Sequence, residues 1–476
     1  MPEYLAEYLL FFGLGPGQYQ IWVSDGTTSG TQAIATAIGL NATEQGQVLV
    51  NGNFENGGLT IPGPALFSAY GKIYAQAGGQ VNNEQLLVWD TQGTNDFGAW
   101  TYQVISPADA ASDFQPQGFA EYEGLVYFNG VGADSLSGEL FSTDGTPGNT
   151  KSISNWGLNP GSLTVAFGTL FFSGNNSSSD TVLYAYDGSG STPYQVPDPN
   201  NPNNPAVYNP QYLTVSYLGR RPDLIDPPIP GLRAPTPEIP LFISGQDSSD
   251  ATTTWLYCYG QDGTLTKIAP AWLLGSSSGL QPYDLVSLAW PTPVSFELFY
   301  AVCFSGLHSN GGRGLWISSG GTSGTTTQID FGLPHGIGDL NPFNLTAFNG
   351  MLYFTGQDKN NLPSSQSSTS GQPGYGLYVY DPVTGDVSEV INSGKADLTF
   401  SEMYGGKNQT TMTVFNKDLY FSAQTHLKSA SAPETVNNLW RANLDSQGNA
   451  NPSPVYFSQD NALNPYSLTT ISLEAG

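Results

Sequence analysis

Hydrophobic positions along this chain come in short alternating runs rather than in helical stripes. Aromatic and small residues alternate in "LLFFG" at 9–13, "KIYAQAG" at 72–78, "LVYFNG" at 125–130 and "TLFFSG" at 169–174. The pattern returns in "PLFISG" at 240–245, "LFYAVCFSG" at 298–306, "MLYFTG" at 351–356 and "DLYFSA" at 418–423. Such alternation fits a pleated strand, whose successive side chains face opposite ways. Each run is followed by a polar loop and a second apolar run, among them "QIWVS", "QLLVWD", "ELFST", "VLYAYD", "GLWIS" and "NLWRAN". A Gly-containing turn and a short strand such as "TYQVI", "LTKIA" or "VSEVI" come next in most units, which predicts a three-strand meander.

A further strand precedes each meander, often introduced by proline, as in "NPGSLTVAFG" at 159–168, "NPQYLTVSYLG" at 209–219, "QPYDLVSLAW" at 281–290 and "NPFNLTAFNG" at 341–350. Proline at the start of a strand needs no ladder N–H, so it is tolerated there. Four strands in each of about eight units predict an all-β fold, a single eight-bladed β-propeller over residues 1–476. The chain starts on a second-strand sequence, "EYLLFFG", and its last residues, "NPYSLTTISLEAG", read as a first strand. Paired, they complete one blade and close the ring, which removes the edges an open array would expose. Leu468 and Ile471 stand three apart on that strand, so each should pack on a different neighbouring blade.

One sentence of sequence recurs: "IWVSDGTTSGT" from Ile21, "LFSTDGTPGNT" from Leu140 and "LWISSGGTSGT" from Leu315. Asp25-Gly26 and Asp144-Gly145 suit a tight turn with left-handed backbone, in which carboxylate and hydroxyl satisfy loop N–H groups. The third unit carries Asn149 in place of Gly, and the sixth is read with Gly320 in place of Asp. Trp22 and Trp316 fall at equivalent places and are expected between blades. The sentence resembles the ELWxSDGTxxGT repeat of bacterial β-propeller proteins, which are often secreted or surface-associated. The resemblance implies the fold; the family has no single activity to carry over.

Charge changes the picture. Thirty-nine acidic and 13 basic side chains give a net −26, while charged residues make up only 11% of the chain. Asn, Gln, Ser, Thr and Gly must therefore cover much of the surface. Nothing could neutralise a run of phosphates, so nucleic acid is excluded as a partner, and an anionic membrane surface is disfavoured. No apolar run is long enough to span a bilayer as a helix. The start, "MPEYLAEYLLFFG", lacks a secretory leader, which leaves a cytoplasmic protein, export by another route or a leader already removed, although the composition suits an extracellular or particle surface. Cys258 and Cys303 sit inside strand-like runs and are expected as free core thiols.

Two stretches interrupt the repeats: a Pro-rich insertion at about 197–240, with Arg220, Arg221 and Arg233, and a Ser/Gly/Gln loop at about 357–376, expected to be flexible. The arginines are candidate contacts for self-association or for another surface protein. His308, His335 and His426 lie in different units without metal or nucleophile spacing and are expected on surface loops. Trp100, Trp156, Trp272 and Trp290 are candidate stacking surfaces for a glycan, with core packing as the alternative. Asp284, Asp339, Glu402 and Glu121 lie near first strands and could face a central channel as a glycosidase or lyase would require. No cofactor is implied; calcium is the ion that oxygen-rich loops would favour. These readings converge on a non-catalytic propeller for binding, adhesion or assembly, with a lectin or a polysaccharide-acting enzyme as alternatives.

Overall fold

Every one of the eight aromatic runs quoted first is a strand in the computed structural model of the chain. The structure describes residues 4–474, apart from 15–18, 41–65, 78–83, 217–238, 271–278, 292–297, 309–311, 321–325, 330–339, 359–373, 392–397, 400–411, 427–434, 445–449, 457–462 and a few shorter gaps. Among the described residues, helix is confined to the turn Ile34–Ala37 and the 3-10 turns Phe97–Ala99 and Pro147–Asn149. Everything else regular is antiparallel sheet, apart from one isolated parallel bridge between Thr254 and Gly279.

The chain divides into two compact units, Met1–Leu163 with Asp397–Gly476, and Thr164–Ala396. In the first, one sheet runs Gln32–Ala33, Tyr19–Ser24, Tyr4–Leu14, Tyr466–Glu474. The C-terminal strand thus pairs with the N-terminal one, Tyr8 opposite Ile471 and Leu10 opposite Thr469. The next two sheets are simple meanders. One holds Leu66–Ala69, Lys72–Ala77, Gln85–Asp90 and Thr101–Ile105; the other holds Gln117–Tyr122, Leu125–Val131, Gly138–Thr143 and Lys151–Ser152. The last is built on Asp418–His426, flanked by Met412–Phe415 and Thr435–Leu444, with Ala450–Tyr456 outermost.

Both faces of the inner strands of these sheets are buried, and that is why those strands are apolar on adjacent as well as alternate positions. Leu9, Phe11, Trp22 and Leu468 pack on Phe415, Tyr420, Leu439 and Val455. The opposite face, with Leu10, Phe12, Val23 and Ile471, packs on Leu66, Ile73, Leu87 and Trp89. Leu468 and Ile471 therefore do face different neighbours. Tyr74, Leu86 and Val88 continue onto Phe119, Val126, Phe128 and Phe141.

In the second unit four meanders follow in chain order. Their first strands are Gly161–Ala166 (in which the division falls), Tyr208–Val215, Tyr283–Pro291 and Phe343–Phe348. Phe171, Leu183, Phe242, Ile243, Leu256, Val302, Phe304 and Trp316 share one core. Leu288, Cys303 and Leu315 share another with Leu345, Leu352, Phe354 and Tyr378. Cys303 is buried, Cys258 half-buried, and both are free thiols. The range read as a Pro-rich insertion contains a ladder strand, because Tyr208–Val215 pairs with Leu241–Asp247. Before it, Pro197–Asp198 and Asn201–Pro205 form a small hairpin. The range 357–376 loses residues at both ends to the paired strands Met351–Asp358 and Gly374–Asp381.

The repeated turn owes its sequence to a buried pair of hydroxyls. Ser24 meets Thr31 at 2.6 Å, Thr143 meets Thr150 at 2.7 Å and Ser318 meets Thr326 at 2.8 Å. The first hydroxyl of each pair also accepts the N–H of Gly26, Gly145 or Gly320. Gly320 therefore occupies the glycine position, and Ser319, not Gly320, stands where Asp25 and Asp144 stand. These glycines have φ of 90°, 90° and 71°. A side chain on Gly26 would also meet the Tyr420 hydroxyl, and one on Gly145 the Lys72 stem. Asp25 and Asp144 each accept from the N–H and hydroxyl of the threonine two residues on. Asn149 donates to the second Asp144 oxygen at 2.6 Å, which explains the departure from glycine there.

Candidate functional site

First strands begin with a backbone device that the sequence carries as Asn/Gln-Pro. Gln115, Asn159, Asn209, Gln281 and Asn341, each before a proline, have φ between 43° and 49°. The proline ring disfavours right-handed helical backbone for its predecessor. Two residues after the proline a second left-handed residue follows: Gly118, Ser162, Tyr212, Asp284 or Asn344. The strand registers shift there, between Gln117 and Ala120, Tyr283 and Val286, Phe343 and Thr346. A bulge of this kind re-aims the side chains beside it.

In the second unit the bulges bring Tyr212, Tyr283, Asp284 and Arg313 together. The Tyr283 hydroxyl donates to the Pro342 carbonyl at 2.9 Å, and the Tyr212 and Tyr283 rings lie 6.3 Å apart. The Asp284 carboxylate accepts the Leu345 N–H at 2.9 Å and also the backbone N–H of Asn344. Burial among the first strands outweighs these two bonds and pushes the carboxyl up to about 6. Arg313 lies over the Tyr283 ring at 4.2 Å, and its Nη2 donates to the Gln281 carbonyl at 2.5 Å. Desolvation by the same surroundings lowers its pKa and raises those of both tyrosines.

A second arrangement lies at the other end of the same strand. Trp290 is half-buried and stacked on Phe299, with centroids 6.1 Å apart and planes 23° from parallel. Phe299 is 53% exposed, the largest value among the described large hydrophobic residues. The strand hairpin Tyr283–Pro291 and Leu298–Leu307 fixes the pair directly, since Trp290 and Phe299 face each other in the ladder.

The other predicted residues fare differently. Trp100 is only 4% exposed; its ring packs on Phe97 at 4.8 Å and its N–H donates to the Thr94 carbonyl, so it is not a stacking surface. Trp156 is half-buried in the loop after Lys151–Ser152. Trp272, Arg220, Arg221, Arg233, Asp339, Glu402 and His335 lie outside the described residues. Glu121 is exposed. His308 is 5% exposed against Trp316 and not on the surface, because Gly314 leaves its ring room to fold inward. His426 ends a strand, paired with Thr435. Among the described residues no three His, Cys, Asp or Glu side chains are grouped to hold a metal ion. Among them, too, no helix is long and apolar enough to cross a membrane. Tyr212, Tyr283, Arg313 and Phe299 were not legible as site residues; the recurring Asn/Gln-Pro was the signal for the first two.

No protein-family model matches the chain, and no curated protein sequence matches it. Solved structures do resemble it. A puromycin hydrolase mutant complexed with PGG is 13% identical with a TM-score of 0.42, over 84% of this chain and 54% of the hydrolase. An ulvan lyase of a polysaccharide lyase family is 8% identical with a TM-score of 0.33, over 83% of this chain and 84% of that one. The quinohemoprotein alcohol dehydrogenase of Comamonas testosteroni is 12% identical with a TM-score of 0.38, over 83% and 67%. The chain thus spans about half the length of the hydrolase, and likenesses this distant bear on neither activity nor site.

Proposed function

We propose that the chain is a closed, eight-bladed β-propeller that works as a non-catalytic binding module at a cell or particle surface. Its ligand is polysaccharide held against the Trp290–Phe299 pair. The carrying observation is that pair itself: two stacked aromatic rings, one of them more than half exposed, facing each other across two paired strands. Exposed apolar surface of this kind marks interaction sites, and a flat ring offers the apolar face of a sugar a partner at little entropic cost. The surface rich in uncharged polar residues and the resemblance to surface-associated propellers support the location. The terminal pairing and the face-to-face packing of successive sheets support the closed ring. Self-association, or docking on another surface protein, belongs to the same reading.

A glycan array followed by titration of the best oligosaccharide tests it. Trp290→Ala and Phe299→Ala should each weaken binding at least tenfold with melting temperature within a few degrees of wild type. Absence of any glycan ligand, or unchanged binding by both variants, would sink the reading.

A polysaccharide-acting enzyme is the second reading, favoured by Asp284, whose carboxyl near 6 can exchange a proton close to neutrality. Among the described residues no second carboxylate acts on Asp284, so the acid–base pair of a glycosidase is not assembled there. Release of reducing ends that Asp284→Asn abolishes would favour this reading over binding alone.

A further inference from the structure

Arg313 is a half-buried cation in a chain of net charge −26. Lys72–Asp90, Lys267–Asp247 and Arg441–Asp418 are ion pairs, and Arg313 is in none of them. Its Nη2 donates to the carbonyls of Gln281 and Ser305, and its Nε reaches the Ser305 hydroxyl at 3.5 Å. The Tyr283 hydroxyl is a further hydrogen-bond partner of the guanidinium. The plane over Tyr283 and these bonds hold the guanidinium still, so its remaining N–H groups are preorganised. Tyr212 stands beside it, ring to ring with Tyr283, within electrostatic reach of both Arg313 and Asp284.

We propose that Arg313 and the Tyr212 hydroxyl form a subsite for the carboxylate of a hydroxylated monocarboxylate such as a uronic acid, with Asp284 accepting a neighbouring hydroxyl. A remaining guanidinium N–H can donate one charge-assisted bond to a carboxylate oxygen, and desolvation strengthens that bond. Asp284, within electrostatic reach of Tyr212, repels a second negative charge, which disfavours a phosphate dianion. Its carboxylate favours a hydroxyl donor beside the anion. This subsite is independent of the aromatic pair: Tyr283 and Trp290 are seven residues apart on one strand, roughly 20 Å at the usual rise.

Calorimetric titration of the full chain at pH 7.5 and low salt, with D-glucuronate as probe and D-glucose, acetate and inorganic phosphate beside it, decides the matter. Saturable binding of glucuronate is expected, weaker binding of acetate, and none of glucose or phosphate. Arg313→Gln should abolish binding and Tyr212→Phe weaken it at least threefold, while Trp290→Ala leaves it unchanged. If Arg313→Gln does not fold, Arg313→Lys retains charge and stem and should weaken glucuronate at least tenfold. No saturable binding by wild type, phosphate binding as tightly as glucuronate, or wild-type affinity in both the position-313 variant and Tyr212→Phe overturns the assignment. Loss of glycan binding in Trp290→Ala with glucuronate binding intact separates this subsite from the aromatic one.

Discussion

Asp284 is a residue whose backbone, burial and ionisation pull in different directions. Its φ of 56° is unusual for a side-chain-bearing residue, yet it is what turns the carboxylate to the Leu345 N–H. The carboxyl ionises near 6 when folded against 3.8 when not, so ionisation costs the fold stability. The contribution is fully present below about pH 4 and is lost as pH rises through about 6, on the order of 3 kcal/mol at about 1.4 kcal/mol per pH unit. Asp284→Asn should therefore melt at or above the wild-type temperature at pH 7.5 and lose that advantage below pH 4. Calorimetric melting across pH 3.5–8 checks this, and a variant less stable than wild type at pH 7.5 would show that the charge-assisted bonds outweigh burial. Asp284 was legible as a first-strand acid. Its partners were not, because Tyr212, Asp284 and Leu345 belong to three strands more than 50 residues apart, joined only by sheet packing.

At the scale of elements, the strand Tyr466–Glu474 is the most telling. It supplies the partner for Tyr4–Leu14, and its two faces touch different sheets through Leu468 and Ile471. Deleting residues 464–476 removes those ladder bonds, each worth about 0.5–1.5 kcal/mol net. It also uncovers Leu9, Leu10, Phe11 and Phe12, all without exposed surface in the intact chain, a larger loss at about 25 cal/mol per Å². The truncated chain should melt far below the full chain or aggregate through its open edge. Scanning calorimetry with light scattering reads both, and an unchanged melting temperature would mean that the pairing contributes nothing to stability.

Over the whole molecule, the −26 charge acts as a field rather than through particular pairs. With few cations to offset it, like charges repel across the surface and destabilise the folded state at low ionic strength. The Debye length falls from about 30 Å at 0.01 M to about 8 Å at 0.15 M, so salt screens that repulsion. Raising sodium chloride from 10 to 300 mM at pH 7.5 should lift the melting temperature by several degrees. A fall instead would mean that attractive pairs such as Lys72–Asp90 and Lys267–Asp247 dominate.

Strands, their order within each meander and the terminal pairing were legible in the amino-acid sequence alone. These follow from alternation, turn residues and proline placement, all local properties that a strand cannot disguise. It also marked Trp290, though not Phe299 as its partner across the hairpin. Tertiary structure decided which side chains meet. Gly320 took the place of Gly26 and not of Asp25, His308 turned inward against Trp316, and Trp100 vanished into the core. The bulges at Tyr212 and Asp284 re-aimed two side chains toward neighbouring strands, and Arg313 settled over Tyr283. Backbone geometry is written within a few residues, whereas burial and side-chain partnership depend on what the rest of the chain places beside them.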